Sequence, residues 1–279
     1  MTNNKKWLGN GVPDEVKRER YRRGCENFKR SMKWESVSAL DLAEIGLGAY
    51  QAFAYGVAFG ADIEELKWIC RGAAAAYTAA FEANDPLDPA TEVVVEQTTF
   101  PVDSGGRPPT AFNWRDAFYL ALIVGADDLL DRLCAADSRI PRPGQRTYDH
   151  YHVAFARALR LLWLGEIDAA GEQLVEAIRD ADPERPDLIA APDSVAHLAV
   201  PTMGLVAELA VGDNEAFNHK MQRAIDGHHR YFAKNRPLAP GAFVSIPLWG
   251  LRAWATRRSM SVGVDSLYVP EPLRASLRS

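Results

Sequence analysis

Apolar residues recur three and four positions apart along most of the chain, and a glycine followed within two residues by an acid interrupts them at Gly60, Gly125, Gly165 and Gly212. Such spacing belongs to helices with one apolar stripe. A glycine closes a helix in the left-handed conformation, and an acid next to it suits the positive end of the following helix. The stretch from Tyr148 to Ile178 shows the unit in full. Val153, Ala156, Leu159, Leu161, Leu162 and Trp163 form one stripe and Ile167, Ala170, Leu174, Ala177 and Ile178 a second, with Gly165 and Glu166 between them. The pattern predicts an αα-hairpin.

Further units follow the same logic. Val12-Pro13-Asp14-Glu15 predicts a first helix to about Met32, with a basic, solvated face and packing through Val16, Tyr21, Cys25 and Phe28. Ser38 with Asp41 opens a second helix that runs to Gly60, and Asp62 with Glu65 forms a capping box for a third, Ile63 to about Asn84. Small residues from Gly72 to Ala76 allow a close neighbour. Prolines at 86, 89, 101, 108 and 109 exclude a continuous helix over 85–111, where β-branched residues from Thr91 to Thr99 predict at most a short strand. Asn113 with Asp116 starts the next helix, and a short one follows from Asp128 to Cys134, before a loop marked by Pro141, Pro143 and Gly144. Asp193 or Ser194 begins a helix to Val211 that Pro201 should kink, and further helices are expected at Glu215 to Phe232 and Pro240 to about Thr256, before an extended tail, Val262 to Leu273. The glycine turns are unequally spaced, which excludes a regular 34-residue repeat array. The fold expected is all-α: an irregular, α-solenoid-like stack of antiparallel helical hairpins in one domain, 1–279, with 1–110 packed on 111–279.

Composition narrows this little. With 279 residues, 47% hydrophobic and 25% charged, the chain is ordinary globular material. Net charge is −5, but residues 1–35 hold ten Lys or Arg against five Asp or Glu, so the remainder is the acidic part, at −10. An acidic body argues against direct nucleic-acid binding and suits a basic partner. No run of about 18 apolar residues and no leader-like apolar segment occurs, so neither a membrane span nor a secretory signal is expected, and the cytoplasm is the default. Cys25, Cys70 and Cys134 lack metal or redox spacing and are expected to be reduced thiols.

Chemistry is sparse. The densest polar clusters are Tyr148-Asp149-His150-Tyr151-His152 and His228-His229-Arg230-Tyr231. Zinc needs three or four converging ligands, and His150 and His152 are two apart, an awkward separation on a helix. No H-E-x-x-H, no G-x-S-x-G and no phosphate-binding loop is present, since Ser104-Gly105-Gly106-Arg107 has neither Walker nor dinucleotide spacing. Asp127, Asp128 and Asp131 suit a helix start better than an acid-base pair. The seven tryptophans sit at otherwise apolar helical positions and are expected mostly in the core. No catalytic residue, cofactor or metal is expected; the enzymatic alternative is an all-α metal-dependent hydrolase using His150, His152 and His228.

From Trp114 to Pro270 the order of landmarks resembles the immunity protein 49 family of bacterial polymorphic-toxin systems. They read W-R-D-A-F-Y-L-A (114–121), L-C-A (133–135), Y-D-H-Y-H (148–152), A-L-R-L-L-W-L-G (158–165), P-T-M-G-L-V-A-E-L (201–209), G-D-N-E-A-F-N (212–218), H-H-R-Y-F (228–232), F-V-S-I-P-L-W-G-L (243–251) and V-D-S-L-Y-V-P (264–270). In the family's aromatic and histidine-rich stretch only His152 keeps its place, with Ala154 where a second histidine is common, which further weakens a metal role. Residues 1–110 match only in being helical. The resemblance implies a cytoplasmic, non-enzymatic antidote that binds a cognate toxin domain and blocks its active site or substrate access. Its partner-binding candidates are Asp149, His150, His152, His228 and His229, with the acidic loop of Asp180, Asp182, Glu184 and Asp187 facing a basic, nuclease-like toxin. A helical scaffold for another protein is the alternative within binding modules, and the oligomeric state is open.

Overall fold

The structure, a computed structural model, describes residues 11–104, 108–140, 148–236 and 239–271. The expected loop at Pro141, Pro143 and Gly144, the Gly105-Gly106-Arg107 stretch, Trp7 and the tail beyond Glu271 lie outside these residues. Among the described residues, ten α-helices and one two-stranded sheet make up the main regular structure, so the fold is all-α.

The glycine turns set the framework. Helix α1 (Asp14–Ser31) packs on α2 (Ala39–Phe59), which turns at Gly60 into α3 (Ile63–Ala83). Gly60, Gly125, Gly165 and Gly212 all have φ between 72° and 83°, the left-handed values that a glycine adopts without a Cβ penalty. Ser38 and Asp41 form the reciprocal capping box that the spacing predicts. Asp62 caps α3 through the amides of Glu64 and Glu65, without the expected return bond from Glu65. The small-residue run of α3 is buried, and a Cβ on Gly72 would lie 2.4 Å from the Phe28 ring, so α1 needs glycine there to seat its phenylalanine.

The stretch after α3 holds more strand than expected. β1 (Glu92–Val95) and β2 (Thr98–Pro101) form an antiparallel hairpin, Glu92 opposite Pro101 and Val95 opposite Thr98. Val93, Val95 and Phe100 point into the core. Two-residue alternation therefore buries one face, and a single isolated strand would have left that ladder unpaired.

The start of α4 (Ala111–Val124) also departs from expectation. Thr110 is its cap and Asn113 the reciprocating third residue, so Asp116 lies inside the helix instead of at its mouth. Then follow α5 (Asp127–Cys134), α6 (Tyr151–Trp163) and α7 (Ile167–Asp180). Helix α8 (Pro192–Val211) continues through Pro201. It absorbs the proline with one π turn, Val195–Ala199, instead of breaking. By length and composition alone α8 is apolar enough to cross a membrane, contrary to the expectation of no such run. Here it buries Val195, Met203, Leu205, Val206 and Leu209 in the core. Helix α9 (Asn214–Asn235) follows the Asp213 cap. The last helix, α10 (Ile246–Arg257), starts six residues later than Pro240, which opens only a short 3₁₀ turn.

One hydrophobic cluster runs from Tyr21 to Val269. Phe53 of α2 stacks on Trp249 of α10 with ring centroids 5.4 Å apart, and Tyr55 meets Phe243 at the same distance. Trp114 and Trp249 are enclosed, whereas Trp34 is exposed. Cys70 and Cys134 are buried free thiols; Cys25 is half-buried.

Candidate functional site

Helix α4 is apolar on almost every side, so any charge it carries is drawn into the interior. Arg115 and Asp116 are that charge. They open onto a cavity of about 240 Å³ bounded by α2, α4, α6, α8, α9 and the turn before α10. Tyr119 of α4 joins them, with Tyr50 from α2, His152 and Phe155 from α6, His228 and Phe232 from α9, and Ser245 from the turn. Ser194, His197 and Ala199, in and beside the π turn of α8, are only partly buried and form one edge of the opening.

Electrostatics inside are governed by desolvation. Asp116 is partly buried in the cavity wall, and desolvation raises its pKa to about 7, with the Arg115 charge pulling it down in opposition. Burial lowers His228 to about 3, and the nearby Arg115 adds to the burial that drives His152 well below the ordinary histidine value. Both imidazoles are therefore neutral at pH 7. The Tyr119 hydroxyl is likewise pushed up by burial. The Arg115 guanidinium lies over the rings of Phe112 and Phe155, 5.2 Å and 5.5 Å from their centroids. His152 packs 3.9 Å from the rings of both Phe112 and Tyr151. The Tyr119 hydroxyl, both ring nitrogens of His152, the Nε2 of His228 and the Nε of Arg115 are buried without a protein hydrogen-bond partner.

The residues singled out from sequence fall into three places. His152 and His228 meet at the cavity. Asp149 is buried, and its carboxylate accepts the amide N–H of Ile189 at 2.7 Å and of Ala190 at 2.9 Å. It ties the start of α6 to the 181–190 loop. Asp149→Ala is expected to cost about 1–3 kcal/mol, because two amides lose a charged acceptor; urea unfolding measures it, and an unchanged midpoint would show the loop to be held by other contacts. The loop itself carries less net charge than its acids suggest. Arg185 binds Asp180 at 3.1 Å and Asp187 at 2.8 Å, while Asp182 accepts the Glu184 amide at 3.0 Å. Asp182, Glu184 and His150 remain exposed. His229 is exposed too, its Nδ1 2.8 Å from the Tyr268 hydroxyl.

Arg115, Asp116, Tyr119 and His197 were not legible as a site from spacing. Asp116 resembled a capping acid; the clue was a charged pair between Trp114 and Ala117 in an otherwise apolar helix. Among the described residues no group of three or more His, Cys, Asp or Glu is placed to hold a metal ion.

No similar curated protein and no similar solved structure was found. The model of the family described as immunity protein 49 matches residues 61–273, which reaches back through α3 and the β-hairpin, beyond the landmarks recognised from Trp114 onward. Five of those landmark stretches, 114–121, 148–152, 201–209, 228–232 and 243–251, supply walls of the one cavity. With the match spanning more than half of its length, the chain belongs to the immunity protein 49 family.

Proposed function

We propose that this immunity protein acts in the cytoplasm by binding a cognate toxin domain and occluding it, without catalysis. Family membership carries the proposal. The surface chemistry supports a particular face. Helix α7 buries Ala170, Leu174 and Ala177, but Ile167 and Ile178, expected on the same packed stripe, lie at its edge and are exposed together with Val175, which is 68% exposed. Asp168, Glu172 and Glu176 stand exposed on the same helix, and Asp182 and Glu184 extend the charge past its end. An apolar stripe rimmed by acids fits a toxin with an apolar patch inside a basic surface: the apolar centre supplies affinity, and the rim speeds encounter.

Co-expression with the toxin encoded next to this gene tests the reading: growth is rescued and the two proteins co-purify. A Val175→Arg, Ile178→Arg double variant should weaken the complex by about 2–4 kcal/mol, the scale of an interface hot spot. Charge reversal at Asp168, Glu172, Glu176, Asp182 and Glu184 should slow association and flatten its salt dependence. Rescue without a complex would overturn occlusion. A complex indifferent to both variants would place the interface elsewhere.

A further inference from the structure

The cavity between α4, α6, α8 and α9 lies apart from the α7 face, no residue of which lines it. Its polar lining is costly. A buried donor or acceptor without a partner is destabilising, and several such groups meet here: the Tyr119 hydroxyl, His152, the Nε2 of His228 and the Nε of Arg115. Five of the thirteen such atoms among the described residues belong to the walls of this one space, where a guest would satisfy them.

The lining also defines that guest. Above pH 7, where Asp116 is ionised, it stands beside Arg115 with opposite charge, and the two cavity histidines are neutral, so no excess of positive charge is then available for a phosphate or a polycarboxylate. Neutral imidazoles and a phenol each offer both donor and acceptor character, and a carboxylate accepts a pair of N–H groups. Phe112, Phe155 and Phe232 supply flat apolar walls. At about 240 Å³ the space falls below the roughly 300–1,000 Å³ of pockets for drug-sized ligands, which selects a single small ring system.

Access is built into the fold. The π turn Val195–Ala199 widens α8 where His197 and Ala199 edge the opening, and π turns recur at functional positions. Gly227 of α9 lets the two helices meet closely there, since a Cβ at that position would lie 2.9 Å from the His197 carbonyl oxygen.

We propose that this cavity is a binding site for a small, uncharged, planar nitrogen heterocycle of nucleobase size, hydrogen-bonded along its edge by Asp116, Tyr119, His152 and His228 and flanked by the aromatic walls.

Calorimetry and ligand-observed NMR on the full chain at pH 8 test this with adenine and benzimidazole, both uncharged there, as probes, and with inorganic phosphate and benzoate as charged comparators. At least one heterocycle binds saturably at one site, and neither anion competes. Asp116→Asn weakens binding about tenfold or more. Ala199→Phe, at the partly exposed rim, blocks it while leaving the circular dichroism spectrum intact. Val175→Arg, on the α7 face, leaves it unchanged, so loss of toxin binding and loss of this site are separable. No binding by either heterocycle at millimolar concentration, which is the behaviour of a cavity holding only water, overturns the proposal. Binding that survives Ala199→Phe, or preferential binding of phosphate, does so as well.

Discussion

Asp116→Asn is expected to stabilise the protein at pH 8 and to lose that advantage by pH 4. The native carboxyl is raised to about 7 from an ordinary 3.8, first by burial, with Arg115 opposing. A carboxyl raised on folding holds its proton in the native state over a range where the unfolded chain has released it. Its contribution is fully present below the unfolded value and is lost as pH rises to the native one. About three units correspond to roughly 4 kcal/mol between pH 4 and pH 8, an upper figure for an acid that can relax toward the cavity. Asparagine keeps the shape without the ionisation, so the stability difference between variant and parent should move by that amount across the range. Tyr50 of α2, Tyr77 of α3, and Arg115 and Tyr119 of α4 are the groups with which Asp116 interacts electrostatically. His152, His197 and His228 face the same cavity. The lowered values of His152 and His228 make both proteins less stable as pH falls below about 6.5, and this shared effect cancels in the difference. Urea titrations of both proteins at several pH values measure it. A difference that stays flat with pH would mean that Asp116 is ionised in the native state at neutral pH, in a wetter setting than the structure shows.

The same residue shows where sequence reasoning stops. Helix type, hairpin pairing and the glycine turns were legible because each rests on local chemistry: Gly165 takes a φ of 83° for a reason that its neighbours alone supply. Asp116 obeys no such local rule. Three residues after Asn113 it has the spacing of a capping acid, and only the packing of α3, α6 and α10 around α4 turns it inward. His152 and His228 were noticed as polar clusters, yet they lie 76 positions apart, and nothing local says that they face one space. Conversely, Asp180 and Asp187 looked like free surface charge because the partner that binds both, Arg185, sits between them as an unremarked basic residue. The β-hairpin was half visible: β-branched residues announced a strand, but the partner strand ends in Pro101, a residue tolerated where the ladder needs no N–H.

Trp249→Ala should be strongly destabilising. Trp249 is 1% exposed on α10 and stacks on Phe53 of α2, so removing it opens a hole between the first helical hairpin and the C-terminal helix. Large aromatic truncations in cores cost about 3–5 kcal/mol, a large part of a typical domain's stability. The site has little room to collapse, because its neighbours are pinned. On the next residue, a Cβ at Gly250 would lie 2.9 Å from the Cβ of Tyr119, so α10 and α4 are already at the closest separation that glycine allows. Trp249→Phe restores part of the stack and should recover more than half of the loss. If the N-terminal hairpins and the C-terminal helices fold as one cooperative unit, fluorescence and circular dichroism give coincident unfolding curves for the parent and for Trp249→Ala. If they are separately stable, the variant instead shows a first transition for one half and an unshifted second for the other.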